Sequence, residues 1–198
     1  MVSRKVKLNR QTGETQICVE LNLDGTGQYE ITTGNGMFDH LLAQLSRHGL
    51  IDVKVSAKGD VETGWHHLVE DTAILLGRAL RQAVGDGRGI NRMGHAYVPL
   101  DEALALVVVD FGGRGYPAID TSLTDTDMGD LPASLVEHFL ESVAREGHFN
   151  LHVRVMAGAN NHHKAEAIFK ALARAMRSAL SVDERSARSV PSTKGTIK

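Results

Sequence analysis

The sequence predicts an α+β fold made of two copies of one β-β-β-α-β-α half-domain. Three observations carry that reading. Alternating and helically periodic segments return in the same order, a glycine-rich break (Gly85-Asp86-Gly87-Arg88-Gly89) falls near the middle, and histidine–glutamate motifs recur at a fixed offset on either side of it. The two half-repeats are assigned to residues 1–86 and 87–198, folded together as one compact unit.

In the first half, residues 5–9 and 15–23 alternate apolar and polar positions across the Gln11-Thr12-Gly13 turn, as a hairpin should. Asp24-Gly25-Thr26-Gly27 is a second turn, followed by a third strand over 28–33. Phe38, Leu41, Leu42 and Leu45 recur at helical spacing until Gly49 supplies the stop. Residues 51–57 alternate again. A longer helix then spans about 65–84, with Leu68, Thr72, Leu75, Leu76, Ala79, Leu80 and Ala83 on one face. The second half repeats the order: strands at 92–98, 104–110 and 115–120, a helix over 131–145 closed by Gly147, a strand over 149–156 and a final helix over about 161–180. Met93, Met128, Met156 and Met176 read as core filler.

Composition narrows the function classes. A hydrophobic content of 42% and a charged content of 23% are those of a globular protein. The net charge of −2 and an aromatic content of 5% offer neither a basic footprint nor stacking platforms, which excludes a nucleic-acid partner. No apolar run approaches the ~20 residues that span a bilayer, so no membrane partner is expected. The start, Met-Val-Ser-Arg-Lys-Val-Lys, lacks the apolar core of a signal peptide. The single cysteine, Cys18, can build neither an intrachain disulfide nor a thiolate metal site. A cytoplasmic location is the expectation.

The ten histidines are clustered, and they obey the repeat. Phe38-Asp39-His40-Leu41 lies on the first short helix and His66-His67-Leu68-Val69-Glu70 opens the long one. Val136-Glu137-His138-Phe139 and His162-His163-Lys164-Ala165-Glu166 hold the corresponding places in the second half. His40 and His138 are 98 positions apart, while His66 and His162, and Glu70 and Glu166, are each 96 apart. Neighbouring helical residues project about 100° apart, so the two histidines of a pair cannot easily chelate one ion together. The glutamate follows them by four and three positions and lies near both, a geometry suited to bridging two metal sites. With His40 and His138 adding one imidazole per half, six imidazoles and two carboxylates supply four ligands for each of two ions. Nitrogen and oxygen donors without thiolate favour Mn, Fe, Zn or a similar divalent ion. His95, His148 and His152 have no repeat partner and read as structural.

These motifs closely resemble the imidazoleglycerol-phosphate dehydratase family of histidine biosynthesis. The resemblance runs from Arg10-Gln11-Thr12-Gly13-Glu14-Thr15 to Val190-Pro191-Ser192-Thr193-Lys194-Gly195. It takes in Leu23-Asp24-Gly25-Thr26-Gly27, Arg47-His48-Gly49, both His-His motifs, Val98-Pro99-Leu100-Asp101-Glu102-Ala103, and Asn160 to Lys170. It implies two β-sheets with the helices packed between them, and a lyase holding two Mn2+ per active site. The implied reaction dehydrates D-erythro-imidazole-glycerol phosphate to imidazole-acetol phosphate, in a homo-oligomer of 24 subunits with active sites between subunits. By the same resemblance Glu14 performs acid–base work, with His48 and Asp101 near the substrate hydroxyls. Arg92, Arg114, Lys170, Ser192 and Lys194 hold the phosphate, Gln44 contacts the substrate, and His40, His66, His67, Glu70, His138, His162, His163 and Glu166 bind metal. The competing reading is an assembly in which the ions only staple subunits together; a dedicated phosphate pocket would then be unnecessary.

Overall fold

The computed structural model describes residues 3–197. Its first half holds β1 (Lys5–Gln11), β2 (Thr15–Asn22), β3 (Tyr29–Thr32), α1 (Gly36–Gly49), β4 (Asp52–Gly59) and α2 (His66–Val84). The second holds β5 (Met93–Leu100), β6 (Ala103–Asp110), β7 (Tyr116–Asp120), α3 (Ser134–Gly147), β8 (Asn150–Ala157) and α4 (Asn161–Leu180). Each half forms one four-stranded sheet, with orders β1-β2-β4-β3 and β5-β6-β8-β7.

In each half two antiparallel pairs are followed, at one edge of the sheet, by one parallel pair. β1–β2 and β2–β4 run antiparallel, and β3 lies parallel to β4. The turn at 24–27 therefore does not fold β3 back on β2. The Asp52 carboxylate accepts from the Thr26 and Gln28 amides at 2.8 and 3.0 Å, which draws the turn to the start of β4. β3–α1–β4 is then a crossover unit with its helix on one face of the sheet, and β7–α3–β8 repeats it.

That placement puts all four helices between the sheets. α1 packs on β3 and β4, α2 on β1 and β2, α3 on β7, and α4 on β5 and β6. The two layers meet where α1 packs on α4 and α2 on α3. Phe38, Phe139 and Phe169 join three helices at the centre, with ring centroids 5.5 and 5.3 Å apart. Each buried side chain of this size removes enough apolar surface to stabilise the fold by roughly 1.5–3 kcal/mol.

Two expectations need correction. α3 begins at Ser134 rather than Leu131, because Leu131 precedes Pro132 and instead pairs with Met128 in an isolated bridge. Met128 and Met176 are core residues, but Met93 and Met156 are 59% and 52% exposed. Both lie on the side of their strands that faces away from the helices. No helix among the described residues is long and apolar enough to cross a membrane.

Candidate metal centres and the residues around them

The helix starts place the histidines. The Asn160 side chain caps α4 by accepting from the His162 and His163 amides, and Asn35 caps α1 by accepting from Phe38. Within each His-His pair the rings stand nearly perpendicular, at 84° for His66/His67 and 86° for His162/His163. Adjacent histidines are thus aimed at different places, as helical geometry requires.

Two groups of donors converge. His40, His162 and Glu166 form one, and His66, Glu70 and His138 the other, with the ligand atoms of each group within 4.8 Å of one another. In the first, Glu166 Oε1 lies 3.0 Å from His40 Nε2 and 2.8 Å from His162 Nε2. In the second, Glu70 Oε1 lies 3.3 Å from His138 Nε2, and the His66 and His138 rings stack at 4.5 Å. Each group draws on both halves, because α1 meets α4 and α2 meets α3. The histidine upstream in one half therefore serves the motif of the other. Within one chain, each glutamate lies among the donors of a single group.

The residues fit a divalent cation. His138 Nε2 is buried and makes no hydrogen bond, a costly condition for a ring nitrogen that an ion would relieve. Two imidazoles and a carboxylate per group are the donor set that Mn2+, Fe2+ or Zn2+ accepts. Burial pushes the Glu166 carboxyl up, but hydrogen bonds from Lys170, His40 and His162 outweigh it and hold the group at about 2. Glu166 is thus anionic, as a ligand must be.

His67 and His163 lie outside both groups, and each is oriented by carboxylates. Asp60 holds His67 Nδ1 at 3.1 Å, and Glu14 Oε1 lies 3.8 Å from its Nε2. Glu102 holds His163 Nδ1 at 2.7 Å, and Asp101 Oδ2 lies 3.6 Å from its Nε2. The Asp60 and Glu102 hydrogen bonds raise the two imidazoles above their ordinary values. Glu102 itself is held at about 2, chiefly by the Asn160 amide and then by His163. A carboxylate on Nδ1 fixes the ring and leaves Nε2 to ligate. Asp60 and Glu102 were absent from the sequence-derived set. Glu102 stands next to Asp101 within a motif already noted, whereas nothing local marks Asp60, which follows the last residue of β4.

The remaining expected residues fall into two places. Gln44 and His48 continue from His40 along one face of α1: the Gln44 amide contacts His40 Nε2 at 3.2 Å and His48 Nε2 at 3.0 Å. Burial, then the nearby Lys170 and Arg174 cations, lower the His48 imidazole below its ordinary value. Lys170 pairs with Glu166 at 2.7 Å and so sits by the first group, away from the other phosphate candidates. Those candidates, Arg92, Arg114, Ser192 and Lys194, line one cavity of about 660 Å³ together with Pro191 and Thr193. Arg92 is already engaged there: Asp110 holds it through two hydrogen bonds, at 2.6 and 2.9 Å, and it donates to the Pro191 carbonyl at 3.0 Å. It anchors the C-terminal tail as well as lining the pocket. Of the unpaired histidines, His148 ends α3 in a left-handed conformation and accepts from Arg81, while His95 and His152 are exposed on the outer face of the second sheet.

Comparison with known proteins puts this chain among the hydro-lyases, so it is an enzyme. The family model described as "Imidazoleglycerol-phosphate dehydratase" matches residues 33–176. The chain belongs to that family. It is 51% identical over 198 residues to the imidazoleglycerol-phosphate dehydratase of Dehalococcoides mccartyi (strain CBDB1), covering all of both chains. With that of Polaromonas sp. it shares 50% over 194 residues, covering 98% and 94% of the two chains. The Staphylococcus aureus structure of the family superposes with a TM-score of 0.82 at 33% identity, over 90% of this chain and 99% of that one. The Pyrococcus furiosus structure gives 0.81 at 36%, over 95% and 99%.

Proposed function

We propose that this chain is a Mn2+-dependent dehydratase of histidine biosynthesis, converting D-erythro-imidazole-glycerol phosphate to imidazole-acetol phosphate and water. The observation that carries the reading is the pair of His/Glu groups, alike in composition and each assembled across the two halves. Two Mn2+ per active site would be held by His40, His162 and Glu166, by His66, Glu70 and His138, and by His67 and His163. When bound, the ions supply Lewis-acid stabilisation of the charge redistributed over the substrate imidazole.

The protein's own groups do the rest. Arg92, Arg114, Ser192 and Lys194 bind the phosphate by charge-assisted hydrogen bonds, and Lys170 and Gln44 contact the substrate beside the first group. Glu14 moves the proton on the carbon next to the imidazole, its Oε1 being aimed at the Nε2 side of His67. His48 and Asp101 hydrogen-bond the substrate hydroxyls; a His48 imidazole kept neutral by burial can both donate and accept. His67 and His163 point away from both groups of their own chain, which supports ligation in a neighbouring subunit. The functional unit is then a homo-oligomer of 24 subunits with sites between subunits.

A dehydratase assay on imidazole-glycerol phosphate, with and without added Mn2+, tests this. Turnover that needs the ion is expected. Turnover by chelated protein free of transition metal contradicts the cofactor, and no turnover in any condition contradicts the activity.

A further inference from the structure

We propose that Asp71, buried beneath the turn between β1 and β2, positions Glu14 by fixing the direction of a hydroxyl chain that ends at the Glu14 amide. The proposal rests on the reading of Glu14 as the acid–base residue. Asp71 belongs to neither His/Glu group. Its Oδ1 accepts from Arg10 Nε at 2.8 Å and its Oδ2 from the Thr15 hydroxyl at 2.5 Å. The one proton of Thr15 Oγ1 is thereby committed to Asp71. At the 3.2 Å contact between the two hydroxyls, Thr12 must then be the donor. That leaves the Thr12 oxygen free to accept from the Glu14 and Thr15 amides, at 3.1 and 2.9 Å. Thr12 N closes the turn on the Thr15 carbonyl at 2.9 Å, and the Asp60 amide holds the Glu14 carbonyl at 3.1 Å. Both sides of the Glu14 peptide are thus fixed, the second by the residue that orients His67.

The second half serves as an internal control. Ala167 stands 96 positions after Asp71 and is fully buried. The turn of that half places its carboxylate differently, with Glu102 accepting from the Ala159 and Asn160 amides at 3.1 and 2.9 Å. The second half folds with the same topology without a carboxylate at this place, so the fold alone does not require one. Burying a charged pair is seldom a net gain in stability. The carboxylate occurs in the half whose turn carries Glu14.

Asparagine at position 71 would present an amide NH2 where one oxygen had been. Facing Arg10 it sets donor against donor. Facing Thr15 it reverses the chain, and the Thr15 proton turns toward a Thr12 oxygen that already accepts two amides. The first arrangement opposes a charged guanidinium and costs the Arg10 bond; the second spares it and breaks the chain that ends at the Glu14 amide.

The test compares Asp71→Asn, Thr15→Val and Thr15→Ser, each alone and combined with Glu14→Gln, in the Mn2+-loaded enzyme. We expect Asp71→Asn and Thr15→Val to lower kcat about 10- to 100-fold, with KM and metal content unchanged. Thr15→Ser, which keeps the hydroxyl, should restore kcat to within about threefold of the parent. On a Glu14→Gln background Asp71→Asn should cost less than about threefold, since nothing is left to position. Unchanged kcat in Asp71→Asn and Thr15→Val overturns the proposal, as does an undiminished loss on top of Glu14→Gln. If Asp71→Asn does not fold, the Thr15→Val and Thr15→Ser pair decides. A near-normal kcat for Glu14→Gln alone overturns the Glu14 reading and this proposal with it; a collapse there with no loss in Asp71→Asn overturns this proposal only.

Discussion

Single carboxylates hold the Nδ1 side of two imidazoles, His67 and His163. Asp60 and Glu102 take the Nδ1 atoms of His67 and His163 and leave Nε2 for an ion. Removing such an orienting group costs about 10- to 100-fold in metal affinity. Asp60→Asn should therefore weaken Mn2+ binding by that factor, as measured by competition with a chelator, and unchanged affinity would remove Asp60 from the site. Glu14→Gln keeps the shape and loses the basicity, so kcat should fall about 10²–10⁴-fold with fold and metal content retained. Glu102 gives a pH prediction with a definite sign. Its folded value of about 2 lies below the ordinary 4.5, so the order it lends to the start of α4 is fully present above about pH 4.5 and is lost as pH falls toward 2. Carboxyl-carbon NMR of the metal-free protein should find Glu102 titrating near 2; a midpoint near 4.5 would mean that its bonds to Ala159 and Asn160 are not formed. At this scale the sequence showed residue types better than partners. The His-His-x-x-Glu motifs stand out by spacing, but Asp60 and Arg10 find their partners only through the β-sheet register and the packing of α2, which spacing does not encode.

At the scale of elements, periodicity identified every described strand and α-helix to within a few residues, and missed only the single 3-10 turn at Val61–Thr63. It could not show that α1 packs on α4 and α2 on α3, and that pairing mixes the ligands of the two halves. Close helix approach is what permits it. A Cβ on Gly77 of α2 would lie 2.8 Å from the Val143 carbonyl and 2.9 Å from Glu146 Cβ on α3. Gly77→Ala should accordingly destabilise the fold by about 1–3 kcal/mol in denaturant unfolding, although alanine favours a helix by about 1 kcal/mol. A gain in stability would mean that the two helices are not in such close contact. The C-terminal tail is tied to the segment between the halves: Gly89 pairs with Asp183 and Ser189, and Arg92 with Pro191. Truncation after Val190 removes Ser192 and Lys194 but little core. It should raise KM strongly, lower kcat less and leave folding intact. If kcat/KM stays within about twofold, Arg92 and Arg114 hold the phosphate without the tail.

At the scale of the whole molecule, one chain presents its parts separately. Two His/Glu groups lie where the helix pairs meet, His67 and His163 point elsewhere, and the phosphate candidates line a cavity at the tail. The proposed remedy is assembly, with each centre completed by an imidazole from a neighbour. The duplicated sequence makes the two sets of donors legible; which chain would supply which donor is a property of the proposed assembly and has no signature in spacing. The most direct measurement is native mass spectrometry of the Mn2+-loaded protein beside His67→Ala and His163→Ala. Completion of each centre by a neighbouring subunit predicts an assembly of 24 subunits with up to two Mn2+ per chain for the parent, and smaller, metal-poor oligomers for both variants. An unchanged assembly with full metal content in both variants would place the complete centres within one chain and contradict it.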